Sequence, residues 1–303
     1  MSITQRPYSG DADKNVMALL VNAFPKSNLH VADLPYRLSS WAFDDPENIR
    51  LWFSEDNQLI AWAVLQSPFW TFDYAYSPET ACNFHQEIIA WADSRAQKIQ
   101  GSDHGRPSWF INVFAQQKDR IADLETLEFR SQANVGEDSW SKVLMTRSAK
   151  TPVIDCECPP GFIIRPLAGE NEVEEYVKLH QATFESKNMT VDWRLRMLNH
   201  PNYHQDLDLV AFSPHGRMVA FCICWHNTAL NFGQIEPLGV HNDFRNLGLG
   251  RVLLTEGIQR LTEGGAARLF VETDSYRNDA FKLYEAAGFR VEKDVLVFRK
   301  DYF

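Results

Sequence analysis

Apolar positions repeat along this chain with two periods, and the switches between them mark out its elements. Within residues 11–24, Val16, Leu19, Leu20 and Ala23 fall on one side of a helix, because residues three and four apart share a face. Residues 33–43 read as a second, shorter helix. Three runs, 49–54, 58–66 and 72–76, read as strands, with Glu55-Asp56-Asn57 as the first turn. A helix is expected over 78–100, where Phe84, Ile88 and Ala92 stand four apart. A strand at 109–115, a helix at 119–129 and a closing strand at 141–147 complete the first half.

Residues 148–161 carry three prolines, two acids and no helical period. They are the expected linker, with a boundary near Pro152, so the chain divides into a domain of residues 1–150 and a domain of residues 151–303. The second half repeats the order of the first. A strand at 162–165 leads to a helix at 169–184, with Val173, Tyr176, Val177 and His180 on one face, and to a short helix at 191–198. Strands at 207–212 and 218–225 form a hairpin through Pro214-His215-Gly216. A strand at 231–240 runs into a long helix, then come a strand at 267–273, a helix at 279–287 and a strand at 291–299. Local matches, Glu125–Arg130 against Glu285–Arg290 and Val143–Arg147 against Val295–Arg299, fall at corresponding places. With the shared element order they argue for a tandem duplication.

The second half carries the chemistry. Its strand ends Glu236-Pro237-Leu238-Gly239-Val240, a polar turn follows, and Arg245-Asn246-Leu247-Gly248-Leu249-Gly250-Arg251 opens a helix whose Leu254, Ile258 and Leu261 share a face. Gly248 and Gly250 lack a Cβ, so backbone N–H groups there can close on an anion. The first turn of a helix has N–H groups without internal partners and a partial positive end, and such a terminus binds phosphate. Arg245 and Arg251 add full charge, and the cradle suits the length of a pyrophosphate. Neither the G-x-G-x-x-G dinucleotide fingerprint nor the G-x-x-x-x-G-K-[ST] loop matches. Pro237 cannot donate to a ladder, so it marks a bulge or an edge. A bulge would leave N–H groups around Leu238 and Val240 unpaired, where a carbonyl oxygen could take them.

R-x-x-G-x-G, read from Arg245 to Gly250, resembles the coenzyme A pyrophosphate loop of the GNAT N-acetyltransferase family. Ala280-Phe-Lys-Leu-Tyr284-Glu-Ala-Ala-Gly288-Phe289 resembles that family's A-x-x-L-Y-E-x-x-G-F segment. The resemblance is specific over about 162–303 and architectural before that. It implies an α/β mixed sheet, two tandem GNAT (acyl-CoA N-acyltransferase) folds in the layout of the mycothiol synthases, and acetyl-CoA as co-substrate. It also implies that Tyr284 protonates the departing thiolate, and that Leu238, Gly239, Val240 and residues 245–251 hold the cofactor. The family's asparagine seven residues before this tyrosine is Arg277 here, with Asn278 one residue late and assigned to the cofactor on that ground. A free amine of ordinary pKa is almost wholly protonated at neutral pH, so a base is needed. Glu236 and Glu272 are the candidates, with His226 and His241 as weaker ones.

Composition narrows the picture further. The formal net charge of −10 argues against nucleic acid or an anionic membrane as partner and suits a cationic amine, whether small molecule or peptide. No apolar run approaches the roughly 20 residues that span a bilayer. With five cysteines, an odd number, and no leader-like N-terminus, a reducing cytoplasm is expected. No metal site is expected from Cys156/Cys158 or Cys222/Cys224, nor from His200/His204, which Pro201 keeps off one helix face. In the first half no glycine lies between Ser77 and Ile88, and Leu124 stands where Tyr284 does, so that half is expected to be a degenerate, non-catalytic copy. The functional expectation is an N-acetyltransferase, with direct attack by a primary amine in a ternary complex. The rival reading is a coenzyme A-binding sensor or interaction module without turnover.

Overall fold

The computed structural model describes residues 3–80, 83–133, 141–275 and 278–302. In chain order the elements are β1 (Thr4–Pro7), α1 (Asp11–Ala23), α2 (Leu34–Leu38), β2 (Ile49–Phe53), β3 (Leu59–Gln66), β4 (Thr71–Tyr76), α3 (Phe84–Lys98), β5 (Ser108–Phe114), α4 (Lys118–Thr126), β6 (Arg130–Ser131) and β7 (Ser141–Ser148). They continue as β8 (Ile163–Pro166), α5 (Val173–Phe184), α6 (Val191–Leu198), β9 (Asp208–Phe212), β10 (Met218–Asn227), β11 (Phe232–Val240), α7 (Leu249–Glu263), β12 (Arg268–Asp274), α8 (Asn278–Ala286) and β13 (Arg290–Asp301). Residues 149–162 carry neither helix nor strand.

The chain forms two compact units that exchange segments. Unit 1 comprises Met1–Val31, Ser40–Lys142 and Lys293–Phe303, and unit 2 comprises Ala32–Ser39 and Val143–Glu292. Most of β7 therefore belongs to unit 2, and most of β13 to unit 1. The sequence reading placed each of these strands at the close of its own half. Periodicity shows that a strand forms but not which sheet edge it joins. In unit 1 the strands run β1-β2-β3-β4-β5-β13, with β6 also on β13; in unit 2 they run β7-β12-β11-β10-β9-β8.

Each unit contains a parallel pair bridged by a helix. In unit 2, β11 pairs with β12 through Phe232–Gln234 against Arg268–Phe270, with α7 as the crossover. In unit 1, β4 pairs with β5 at Thr71 and Phe110, with α3 between them. The strands run on well past these pairings, so in each unit the two carboxyl ends part. A crevice outside the carboxyl ends of parallel strands is where open α/β sheets bind ligands.

Unit 2's core explains how firmly its crevice is framed. Leu249, Leu253, Leu254, Ile258 and Leu261 of α7 are buried on one face, as the sequence period requires. Gly257 lets this helix seat on β10, since a Cβ there would lie 2.7 Å from Cys224 Sγ. Cys222 and Cys224 are buried with their sulfurs 3.8 Å apart. Arg147, 2% exposed, donates from Nε to the Ala287 carbonyl at 2.9 Å and from Nη2 to the Thr151 carbonyl at 2.6 Å. It thereby fastens the end of α8 to the turn after β7 and supplies donors to carbonyls that a helix end leaves over.

Gly239 is the tightest point of the crevice wall: a Cβ there would lie 2.4 Å from the Phe221 ring and 2.9 Å from Thr183 Cγ2. Gly239→Ala is expected to cost about 1–3 kcal/mol of stability through overpacking, measured as a lower urea midpoint at unchanged slope.

Candidate active site

The bulge expected at Pro237 is present in β11. Cys222 pairs with Leu238 and Cys224 with Ile235, so Ile223 alone faces both Glu236 and Pro237, two residues against one. The Glu236–Pro237 bond is cis, and the Glu236 carbonyl accepts the Trp225 indole N–H at 2.7 Å. Beyond the bulge, the His241 N–H donates to the Val219 carbonyl at 2.9 Å. Backbone donors alternate along a strand, so the Leu238 and Val240 N–H groups point away from β10, toward the parted β12.

That gap opens into a cleft of about 1000 Å³. Leu238, Gly239 and Val240 form one wall, and Tyr284 of α8 lines it from another element. The start of α7 faces it through Arg245, Asn246, Gly248, Gly250 and Arg251. Asn246 has φ of 63° and Gly248 of 88°, left-handed values that asparagine and glycine tolerate best. No side chain caps α7, and its first intrahelical bond is Arg251 N–H to the Gly248 carbonyl at 3.0 Å. The amides of Leu249 and Gly250 precede that bond. At Gly250 a Cβ would meet Val240 and Leu283 only at 3.5 and 3.7 Å, ordinary contacts. Protein packing does not demand glycine there, although glycine costs a helix about 1 kcal/mol against alanine. A bare backbone fits an anion seated on these amides.

The remaining expected site residues fall as follows. Leu249 is buried in the core and Leu247 is 47% exposed; neither side chain lines the cleft, so only their backbone amides could serve a ligand. Glu236, just before the wall, and Glu272 of β12 are half-buried and outside the cleft lining. Tyr284 is 8% exposed, with its ring edge-on to Phe289 at 6.0 Å, and α8 stops at Gly288 with φ of 89°, as a left-handed helix stop requires. Asn278 opens α8, but its side chain, like all of Arg277, lies outside the described residues. His241 Nδ1 accepts the Asp243 N–H at 3.2 Å and its Nε2 lies 2.8 Å from Arg217. His226 lines a different groove with His204 and Glu256. Among the described residues no group of three His, Cys, Asp or Glu is placed to hold a metal ion, and no helix is long and apolar enough to cross a membrane.

The structure adds residues that the sequence reading did not single out. Lys282 lines the cleft from an unspecified position of the A-x-x-L-Y segment, and its charge joins those of Arg245 and Arg251. Thr183, Phe184 and Glu185 close the cleft from the end of α5. Behind them lies a buried layer. His180 stacks on Phe221 with centroids 5.5 Å apart, and Arg194 lies 4.0 Å above the Tyr176 ring. Arg194 pairs with Asp208, and both are fully buried; Asp208 also accepts the Tyr203 hydroxyl at 2.8 Å. Burial, reinforced by Arg194, pushes the His180 imidazole down to about 3. Burial, with Glu236 adding to it, raises the Tyr36 phenol well above its ordinary value.

A mixed sheet parted at its parallel pair, with a glycine-led helix facing the gap, defines an acyl-CoA-type transferase fold. Residues 173–289 match the family model described as Acetyltransferase (GNAT) family. The mycothiol acetyltransferase of Arthrobacter sp. (strain FB24) is 26% identical over 168 residues, 52% of this chain and 51% of that one. The chain thus spans about half the length of the curated relative it matches. The solved GCN5-related N-acetyltransferase of Sphaerobacter thermophilus superposes over 99% of this chain and 95% of its own, with a TM-score of 0.68 and 18% identity. A tandem GNAT protein from the clavulanic acid biosynthesis pathway gives 99%, 98%, 0.67 and 12%. At such identities the likeness is one of fold: two tandem GNAT folds.

The neutral, buried His180 makes a testable demand on stability. Its folded pKa lies below the unfolded one of about 6.5, so the unfolded chain takes up a proton that the folded chain refuses, and stability falls as pH drops below that value. Between pH 6.5 and 5 this loss amounts to about 2 kcal/mol. In His180→Phe, denaturant unfolding should show a shallower pH dependence over that window; an unchanged slope would mean that His180 does not stay neutral when buried.

Proposed function

We propose that unit 2 transfers an acetyl group from acetyl-CoA to a primary amine, by direct attack of the amine in a ternary complex. One observation carries this reading. The uncapped start of α7, with a left-handed Gly248 and a Gly250 that packing does not require, opens on the same cleft as Tyr284 and the wall Leu238–Val240. The backbone amides of 248–250, flanked by Arg245 and Arg251, would hold the pyrophosphate. Acetyl-CoA brings an activated acyl group on a thiol leaving group.

The chain's own residues then have three tasks. Leu238 and Val240, whose N–H groups point into the parted strands, would hold the acyl oxygen and stabilise its growing negative charge. Glu236 or Glu272 would take the proton that the amine must lose as it forms its bond to the acyl carbon, directly or through water. Tyr284 would give its phenolic proton to the sulfur as the carbon–sulfur bond breaks; a phenol of pKa near 10 can do so only at short range. Starting from the ammonium form, the nitrogen loses two protons in all: one restores the phenol that protonated the sulfur, and the other leaves to water by way of the carboxylate. The acceptor is a small-molecule or peptide amine, and the acidic chain suits its positive charge. Unit 1 is assigned no catalytic task, and the reaction needs no metal. We place it in the cytoplasm.

With a panel of amines, release of free thiol from acetyl-CoA should depend on the amine. Tyr284→Phe should lower kcat about a hundredfold or more, the usual worth of a general acid, with coenzyme A affinity within about threefold of the native value. Equal turnover in that variant would remove Tyr284 from the mechanism. Coenzyme A binding without thiol release for any amine would favour a non-catalytic binding module instead.

Calorimetric titration should give one equivalent of coenzyme A per chain. Two equivalents would mean that unit 1 also takes the cofactor.

A further inference from the structure

The parted strands of unit 1 hold a small polar cavity that the acetyl-transfer reading does not use. Its volume is about 40 Å³, room for about three water-sized groups or one small polar molecule, since a single water needs about 10–15 Å³ by this measure. Asp73 and Tyr74 of β4, Asn112 of β5, Arg120 of α4 and Asn28 after α1 line it. Two oxygens in this wall have no donor: Asn28 Oδ1 and Asn112 Oδ1. Asn28 is 6% exposed, and its amide nitrogen donates to the Phe24 carbonyl at 2.9 Å, which fixes the unpartnered atom as an acceptor. A buried acceptor left unpaired is costly. Asp73, 9% exposed, accepts the Thr71 hydroxyl at 2.9 Å and brings a carboxylate to the same wall. Arg120 commits two of its donors elsewhere, to Tyr76 Oη and the Ser27 carbonyl, both at 3.0 Å, and lies 4.4 Å over the Tyr76 ring.

We propose that this cavity binds a primary ammonium group, the head of a small alkylamine. Such a group has three N–H donors, no acceptor and one positive charge. It answers the two unpaired amide oxygens, beside the Asp73 carboxylate, in a space that admits it. Trp62, Phe72 and Phe114 also line the cavity; they would take the methylene carbon beside the nitrogen, and aromatic faces attract a cation. The assignment stands apart from acetyl transfer, because it concerns unit 1 and needs no acetyl-CoA.

The test uses the full chain without acetyl-CoA, titrated with methylammonium chloride against sodium and potassium chloride at equal ionic strength. Binding is followed by calorimetry and by the unfolding midpoint. Methylammonium should saturate in the millimolar range, all that so small a ligand can reach; tetramethylammonium, which has no N–H, should not. Asp73→Asn should weaken methylammonium at least about tenfold, as expected for hydrogen bonds to a charged partner, whereas Tyr284→Phe should leave it unchanged. Asn112→Asp, which adds a second carboxylate, should tighten it and keeps the test open should Asp73→Asn fail to fold. Equal responses to potassium or tetramethylammonium would overturn the proposal. So would binding unaffected by both Asp73→Asn and Asn112→Asp, or no saturable binding at all.

Discussion

Two parallel strands joined through a helix can share hydrogen bonds only as far as they stay side by side. In both units of this chain they part within a few residues, at Gln234 in β11 and at Thr71 in β4. Past that point each strand presents backbone groups that no neighbouring strand satisfies, and buried backbone polar groups must find partners somewhere. The rest of each unit answers that need, and the two answers differ.

Unit 2 leaves its gap open. The Glu236–Pro237 bulge turns the strand, Gly239 brings the backbone hard against Phe221 and Thr183, and α7 begins without a cap beside the opening. The layer behind the wall is rigid and buried, with Arg194 and Asp208 fully enclosed. Removing one partner of such a pair strands a buried charge, so the wall is held by groups that cannot easily rearrange. Unit 1 fills its gap with side chains. Arg120 stacks on Tyr76, and His85 spans Asp123 at 2.8 Å and the Tyr74 hydroxyl at 3.0 Å. Leu124, at the place matched to Tyr284, is a core residue with no exposure. What remains is a pocket for one small group rather than a cofactor cleft.

Much of this was legible in the chain itself. The glycines after Arg245, the proline in β11 and the A-x-x-L-Y-E-x-x-G-F segment are local signals, and each acts through local geometry: a left-handed residue, a bulge, a helix stop. The long helices also showed their period, though α3 begins at Phe84 rather than near 78; Pro78, Glu79 and Asn83 are exposed. Other features depend on distance in the fold. β7 and β13 read as strands, but their exchange between units follows from which edge each finds, which periodicity does not encode. The short β1 and β6 have too few residues to show any period. The stretch Val191–Arg196 read as a border of the acceptor site, but the pairing of its Arg194 with Asp208 joins a helix to a strand and could not be read from either residue; the same holds for the meeting of Asn28 and Asn112 around the unit 1 cavity.

The central claim is that the first-turn amides of α7 grip the diphosphate of coenzyme A, and Gly250→Ala tests it most directly. Calorimetry with coenzyme A and a urea unfolding curve are measured on the same variant. Since the added Cβ makes only ordinary contacts and alanine favours a helix by about 1 kcal/mol over glycine, the account predicts an equal or more stable protein. It also predicts that coenzyme A binds at least about tenfold more weakly, because the methyl group would stand where the phosphate closes on the backbone. Unchanged affinity in that stable variant would contradict the account.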